Sequence, residues 1–240
     1  MSRKNTMLGL AALAALGFAA TSFAQCPSGP VPPWSAQTAL SGTVGIVDGG
    51  FDGTSCRMDA AITGNSGFAG AFVRDDTPAD EPTYRAQFLI DADALTGMNA
   101  TQVARVFAAT TESAHMGTGD LVAMTVFGNF AGTAKTLGIY TVCTEQSSGR
   151  CSTTTPLAAG VNRVEIAWEK GTPGQLRVWV NNGNESSPTT TINATNASWG
   201  GVDAAVLGLT ASSAGFRANQ LGNAVGFDEF DSRRTTFIGE

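Results

Sequence analysis

Val161-Asn162-Arg163-Val164-Glu165-Ile166-Ala167-Trp168-Glu169, a reversal at Gly171-Thr172-Pro173-Gly174, and Leu176-Arg177-Val178-Trp179-Val180-Asn181 are the stretch that decides the fold. Both runs alternate with period 2 and Gly and Pro punctuate the join, so they predict an antiparallel hairpin. One face takes Val164, Ile166 and Trp168 with Leu176, Val178 and Val180, and the other takes Arg163, Glu165, Arg177 and Trp179. Burying the six apolar side chains, at roughly 1.5–3 kcal/mol each, makes the first face part of a core.

Segments of the same kind flank the hairpin. Tyr84 to Asp91 sets Tyr84, Ala86, Phe88 and Ile90 against Arg85, Gln87 and Leu89. Residues 56–62, 103–109, 121–127, 136–143, 202–209 and 224–230 are further strand candidates, separated by clusters of Gly, Asn, Asp, Ser and Pro. Only residues 93–99 read as a short helical turn. Composition agrees: charged residues are 14% of the 240, against ~25% on average, and there are 29 glycines. The chain predicts an all-β sandwich of two antiparallel sheets.

The amino terminus carries Arg3 and Lys4, an apolar run from Met7 to Ala20, and small residues at Ser22 and Ala24, the pattern of an export signal over 1–24. The apolar run is shorter than the ~20 residues a membrane span needs, so the expectation is a secreted or periplasmic chain with no span. Residues 25–50 form a Pro-rich N-terminal segment and 51–240 the sandwich domain. Cys26 is close to the signal's end, but Gln25 before it is a poor fit to lipoprotein processing. Cys26, Cys56, Cys143 and Cys151 are four cysteines in an exported chain and allow three pairings. The short loop between Cys143 and Cys151 favours that pair, leaving Cys26 with Cys56. A net charge of −6 without clustered basic residues argues against nucleic acid or anionic lipid as the main partner.

At the hairpin, Leu176 to Gly183 reads Leu-Arg-Val-Trp-Val-Asn-Asn-Gly after a strand ending in Trp168, and the run Gly226-Phe227-Asp228-Glu229-Phe230-Asp231-Ser232-Arg233-Arg234 reads as a closing strand. These runs resemble the concanavalin A-like jelly rolls, a superfamily of laminin-G-type, lectin and glucanase sandwiches. With the acidic loop at 73–81 they are also similar to exported proteins of Gram-negative bacteria. The resemblance implies a concanavalin A-like jelly-roll β-sandwich and places the closing strand beside the first. Enzymatic relatives of laminarinase type use Glu-x-Asp-x-x-Glu. Here Glu229-Phe230-Asp231 is followed by Ser232, Arg233 and Arg234, so the second Glu of the pair is missing. Glu229 then reads as part of a charged edge strand.

Other catalytic patterns are absent too: His115, the single histidine, stands in a polar loop, and no phosphate-cradling or dinucleotide motif occurs. The expectation is therefore a non-enzyme. No cofactor is required. Asp75, Asp76 and Asp80, with Glu81, offer oxygens for calcium, Ca2+ being the cation the jelly-roll resemblance suggests; the alternative is a solvated acidic loop paired with Arg74 or Arg85. The functional expectation is a lectin-like module for a glycan or cell-surface polymer, with Trp179 as an exposed platform flanked by Arg177, Arg163 and Glu165. Two alternatives stand beside it: a structural or adhesive envelope protein, and a divergent polysaccharide hydrolase or lyase. Nothing in the sequence fixes the oligomeric state.

Overall fold

The computed structural model describes Cys26, residues 34–111, 119–129, 132 and 134–239. The expected export signal at 1–24 and His115 lie outside these residues. Fourteen strands and one short helix follow in order: β1 Ala36–Leu40, β2 Gly42–Asp48, β3 Cys56–Ile62, β4 Gly70–Asp75, β5 Thr83–Asp91, β6 Val103–Thr110, β7 Asp120–Gly128, β8 Lys135–Val142, β9 Arg150–Pro156, β10 Val161–Glu169, β11 Gly174–Val180, β12 Thr190–Ala194, β13 Ala204–Ser212, α1 Ala214–Asn219 and β14 Ala224–Arg233. Sheet A runs β1-β4-β13-β6-β7-β8-β9 and sheet B runs β12-β11-β10-β5-β14-β3-β2. All pairings are antiparallel, and the two sheets stack as a concanavalin A-like jelly roll.

Alternation builds the core. From sheet B come Tyr84, Ala86, Phe88 and Ile90 of β5, Val164, Ile166 and Trp168 of β10, and Leu176 and Val178 of β11, all buried. Sheet A answers with Phe107, Val122, Met124, Leu137 and Leu207. Phe88 and Phe107 stack across the two layers, 5.3 Å between ring centroids. The hairpin register pairs Ile166 with Val178 and Trp168 with Leu176, the alignment that period 2 predicts. Val180, the last of the expected inward set, is only half-buried at the strand's end.

Three details depart from the sequence expectation. The strands begin at Ala36, so 36–48 supply an edge strand to each sheet ahead of the boundary expected at 51. Residues 93–99 hold turns, Leu95 N–H donating to the Ala92 carbonyl at 3.0 Å, and the helix lies at α1, where the Ser213 hydroxyl caps the Phe216 amide. β14 is an interior strand between β5 and β3, neither an edge nor a neighbour of β1. Between Asp228 and Asp231 it bulges, with Glu229 at φ 49°.

Cys26 is bonded to Cys56 and Cys143 to Cys151, the favoured pairing. Disulfides persist in oxidising compartments, which fits a chain outside the cytoplasm. No helix among the described residues is long and apolar enough to cross a membrane. Truncating the inter-sheet stack with Phe88→Ala is expected to cost ~3–5 kcal/mol, read as a lower urea midpoint with an unchanged slope.

Candidate functional site

The two outward faces differ in chemistry. On sheet A the register carries Val206, Ala108, Ala123 and Tyr140 in one row, and with Phe72 these form a small apolar cluster. On sheet B the same logic sets out a charged face. Asp91 and Asp59 flank Gly226; Arg57 and Asp228 lie in the next row with Leu89 and Arg163; Asp231, Gln87, Glu165 and Trp179 follow; then Arg233, Arg85, Ala167 and Arg177. Gly226 is small for a reason, since a Cβ there would come 2.7 Å from the Phe51 ring.

Charges of opposite sign neutralise one another along this face. Arg57 pairs with Asp59 at 2.7 Å, and Arg233 with Asp231 at 2.7 Å. Arg163 pairs with Glu229 at 3.5 Å and with Asp52. Arg85, only 5% exposed, reaches Glu165 at 3.3 Å and Glu185 at 2.6 Å, and its guanidinium lies 5.6 Å from the centre of the Trp179 ring. Arg177 also stacks on Trp179, at 5.5 Å. It has no carboxylate partner among the described residues. A hollow of about 190 Å³ opens beside it, lined by Arg85, Arg177, Arg234, Glu169, Gln175 and Thr235 among others.

Trp179, Arg177, Arg163 and Glu165 therefore share the non-core face, as alternation predicts. Their environment corrects the expectation of an exposed platform: Trp179 is 1% exposed and Glu165 3%. Two pieces of chain cover them. The loop after β11 accepts the indole N–H on the Asn184 carbonyl at 3.0 Å and supplies Glu185 to Arg85. Residues 234–239, which follow β14, lay Phe237 against Trp179 at 5.3 Å and direct the amides of Ile238 and Gly239 to Glu165 at 3.0 Å each. Sequence reasoning placed Arg85 and Gln87 on one side of β5 but not beside Trp179, because that neighbourhood follows from the β5–β10 pairing across more than seventy residues. Phe237 carried no periodic signal.

The acidic loop is spread over separate partners. Asp76 binds Arg74 at 2.7 Å, the Asp75 carboxylate accepts from Thr77 N–H at 2.9 Å, Asp80 accepts from Gly201 N–H at 2.6 Å, and Glu81 pairs with Arg234 at 2.7 Å. Arg85, the other expected partner of this loop, is engaged elsewhere. Among the described residues the only three potential ligands that converge are Cys143, Glu145 and Cys151, whose two sulfurs are already bonded to each other. On the far side of β14 a cleft of about 620 Å³ is lined by Trp34, Met58, Asp75, Phe230, Asp231 and Ser232 among others.

Neither tyrosine reaches the outer face of sheet B. Tyr84 lies in the core, where burial pushes its phenol up. Tyr140 belongs to sheet A, donating to Asp120 at 3.0 Å while Arg105 holds the same carboxylate at 2.6 Å. Burial, with Asp120 opposing ionisation, pushes the Tyr140 phenol up to about 12.

No protein-family model and no curated protein sequence matches the chain. Solved structures do. An endo-beta-1,4-glucuronan lyase from the fungus Trichoderma reesei superposes with a TM-score of 0.62 at 16% identity, over 88% of this chain and 95% of that one. The cellulose induced protein Cip1 gives 0.55 at 14% identity, covering 82% and 88%. The alginate lyase Aly36B gives 0.54 at 13% identity, covering 80% and 83%. The shared feature is the jelly roll itself. This set corrects the expectation of a non-enzyme: the missing Glu-x-Asp-x-x-Glu pattern excludes one hydrolase type, whereas the scaffold is one on which polysaccharide lyases are built.

The Tyr140 geometry has a pH consequence. A phenol whose folded pKa lies above its unfolded value of ~10 stabilises the fold below pH ~10 and loses that contribution as pH rises toward 12. Phenolate absorbance in an alkaline titration is expected to show one tyrosine titrating near 12, a transition that Tyr140→Phe removes.

Proposed function

We propose that this chain is a carbohydrate-active enzyme of the polysaccharide-lyase type, acting on a uronate-containing polymer laid along the outer face of sheet B. The observation that carries the reading is the set of guanidinium groups on that face, with Arg177 lacking a carboxylate partner among the described residues, beside a hollow and against an indole. Support comes also from the scaffold shared with a glucuronan lyase and an alginate lyase.

Eliminative cleavage needs a cation on the sugar carboxylate, so that the proton on the neighbouring carbon becomes acidic, and a base to take it. The C–H electrons then form the C=C bond, the C4–O bond to the next sugar breaks, and the departing oxygen picks up a proton. Arg177, with Arg85 behind it, is placed to hold the carboxylate through charge-assisted hydrogen bonds. Among the described residues, the groups on this face able to take a proton are carboxylates, since neither tyrosine lies there. Glu165 is committed to Arg85 and two amides, and Asp231 is held by Arg233 three strands away from Arg177, whereas Glu169, exposed and lining the same hollow as Arg177, is accessible.

Glucuronan and alginate oligomers are the substrates to test, with the ultraviolet absorbance of the conjugated product as readout. Arg177→Ala is expected to lower kcat/KM by 10-fold or more, the scale of one lost charge-assisted contact at ~1.5–3 kcal/mol, with Tm nearly unchanged. Glu169→Gln is expected to abolish product formation and retain binding. Absence of unsaturated product from every uronate polymer would overturn the proposal.

A further inference from the structure

Residues 234–239 are held by the most strongly interacting groups of the sheet B face, yet they form no strand. Among the described residues Arg233 is the last in a ladder, opposite Arg85. Beyond it, Thr235 and Thr236 are exposed and Phe237, Ile238 and Gly239 are half-buried. The Phe237 ring is gripped between Trp179, 5.3 Å away, and the Arg85 guanidinium, 5.5 Å away. Two consecutive amides deliver their protons to the two oxygens of Glu165. With the Gln87 amide nitrogen toward the Gly239 carbonyl at 2.6 Å, its oxygen receives Arg163 at 2.7 Å. Arg233 closes the turn on the Phe237 carbonyl at 3.2 Å.

Ordinary packing does not call for this arrangement. Glu165 and Arg85 are buried polar groups that pair with each other across β5 and β10, and the donors and acceptors this leaves over are satisfied by chain laid on top. The contacts match those of a sugar ring in kind: an apolar ring face on an indole, two adjacent donors on one carboxylate, and a guanidinium at the rim where a ring acid would stand. The grip is also local, comprising one aromatic contact and a few hydrogen bonds on an irregular segment, the sort of element that opens at low free energy.

We infer that the space filled by Phe237 and the Ile238 and Gly239 amides is a sugar-ring subsite, and that residues 235–239 are its built-in, displaceable occupant. Glu165 and Trp179 bind either the segment or the ring, and a polymer reaches Trp179 only when the segment swings out. The inference rests on the reading of this face as the polysaccharide groove and adds that the groove is self-occluded.

The test compares the full chain with a chain lacking residues 235–240 and with full-length Phe237→Ala and Ile238→Pro, the last removing one donor to Glu165. Binding of oligoglucuronate and oligoalginate is measured by calorimetry, and exposure of tryptophan by acrylamide quenching. Removal of the segment is expected to tighten oligomer binding at least tenfold and raise quenching, and the peptide Thr-Thr-Phe-Ile-Gly added back is expected to compete. Should truncation unfold the chain, Ile238→Pro and Phe237→Ala carry the same expectation. Equal affinity of all forms for an oligomer that does bind would overturn the occlusion and leave the groove standing. Folded variants with raised quenching that bind neither oligomer would overturn the groove and the subsite together.

Discussion

The outer face of sheet B is organised by one buried ion pair, Arg85 with Glu165, at 3.3 Å and almost fully removed from solvent. Taking two such charges out of water costs several kcal/mol per ion, and Coulomb attraction alone does not reliably offset it. What offsets it here is the number of additional partners. Arg85 also has Glu185 and two aromatic faces, Trp179 and Phe237, while Glu165 accepts from two amides. Those partners come from β5, β10, β11, the loop after β11 and the segment after β14. The pair therefore fixes where each of them lies. An apolar pair would pack as well but would place no such demand on the loop and the segment.

Sheet B consequently has two faces of opposite character. Toward sheet A it is dry, with Tyr84, Phe88, Ile166 and Trp168 in the core; outward it is polar, buried at its centre over Arg85, Gln87 and Glu165 and half-buried toward Arg177 and Asp231. The same β5 strand shows both, Tyr84 and Arg85 being adjacent and both largely inaccessible. The burial of Arg85 is a tertiary effect, created by chain that returns over a sheet that would otherwise face water.

That distinction explains how much was legible. β3, β5 and β10 were readable from alternation alone, because each has one face on the core and polar residues at the intervening positions. β1 and β9 were not, since edge strands with mostly exposed residues carry a weak pattern, and β4, buried on both faces over Gly70 to Val73, carries none. Alternation also placed Trp179 on the correct face. It said nothing of what lies above that face, because Phe237 is distant in sequence and belongs to no periodic element. The interior position of β14 was hidden for a related reason: strand order depends on which long-range pairings win, and the charges of Glu229 and Asp231 resemble those that guard an edge.

Net charge led the sequence reading away from nucleic acid and anionic lipid, and the proposed substrate is also an anion. The two are reconciled by range. At physiological ionic strength the field of a charge decays over ~8 Å, so an approaching uronate within a groove responds to the guanidinium groups near it and only weakly to acidic residues elsewhere on the chain. Among the described residues each guanidinium on the sheet B face but that of Arg177 is paired with a carboxylate. A uronate arriving there therefore meets the guanidinium that is not already in an ion pair, at the hollow that Glu169 also lines. An acidic chain that recognises an acidic polymer needs such local imbalance more than a basic surface, and its discrimination then rests on contacts that only a matching ring geometry can make.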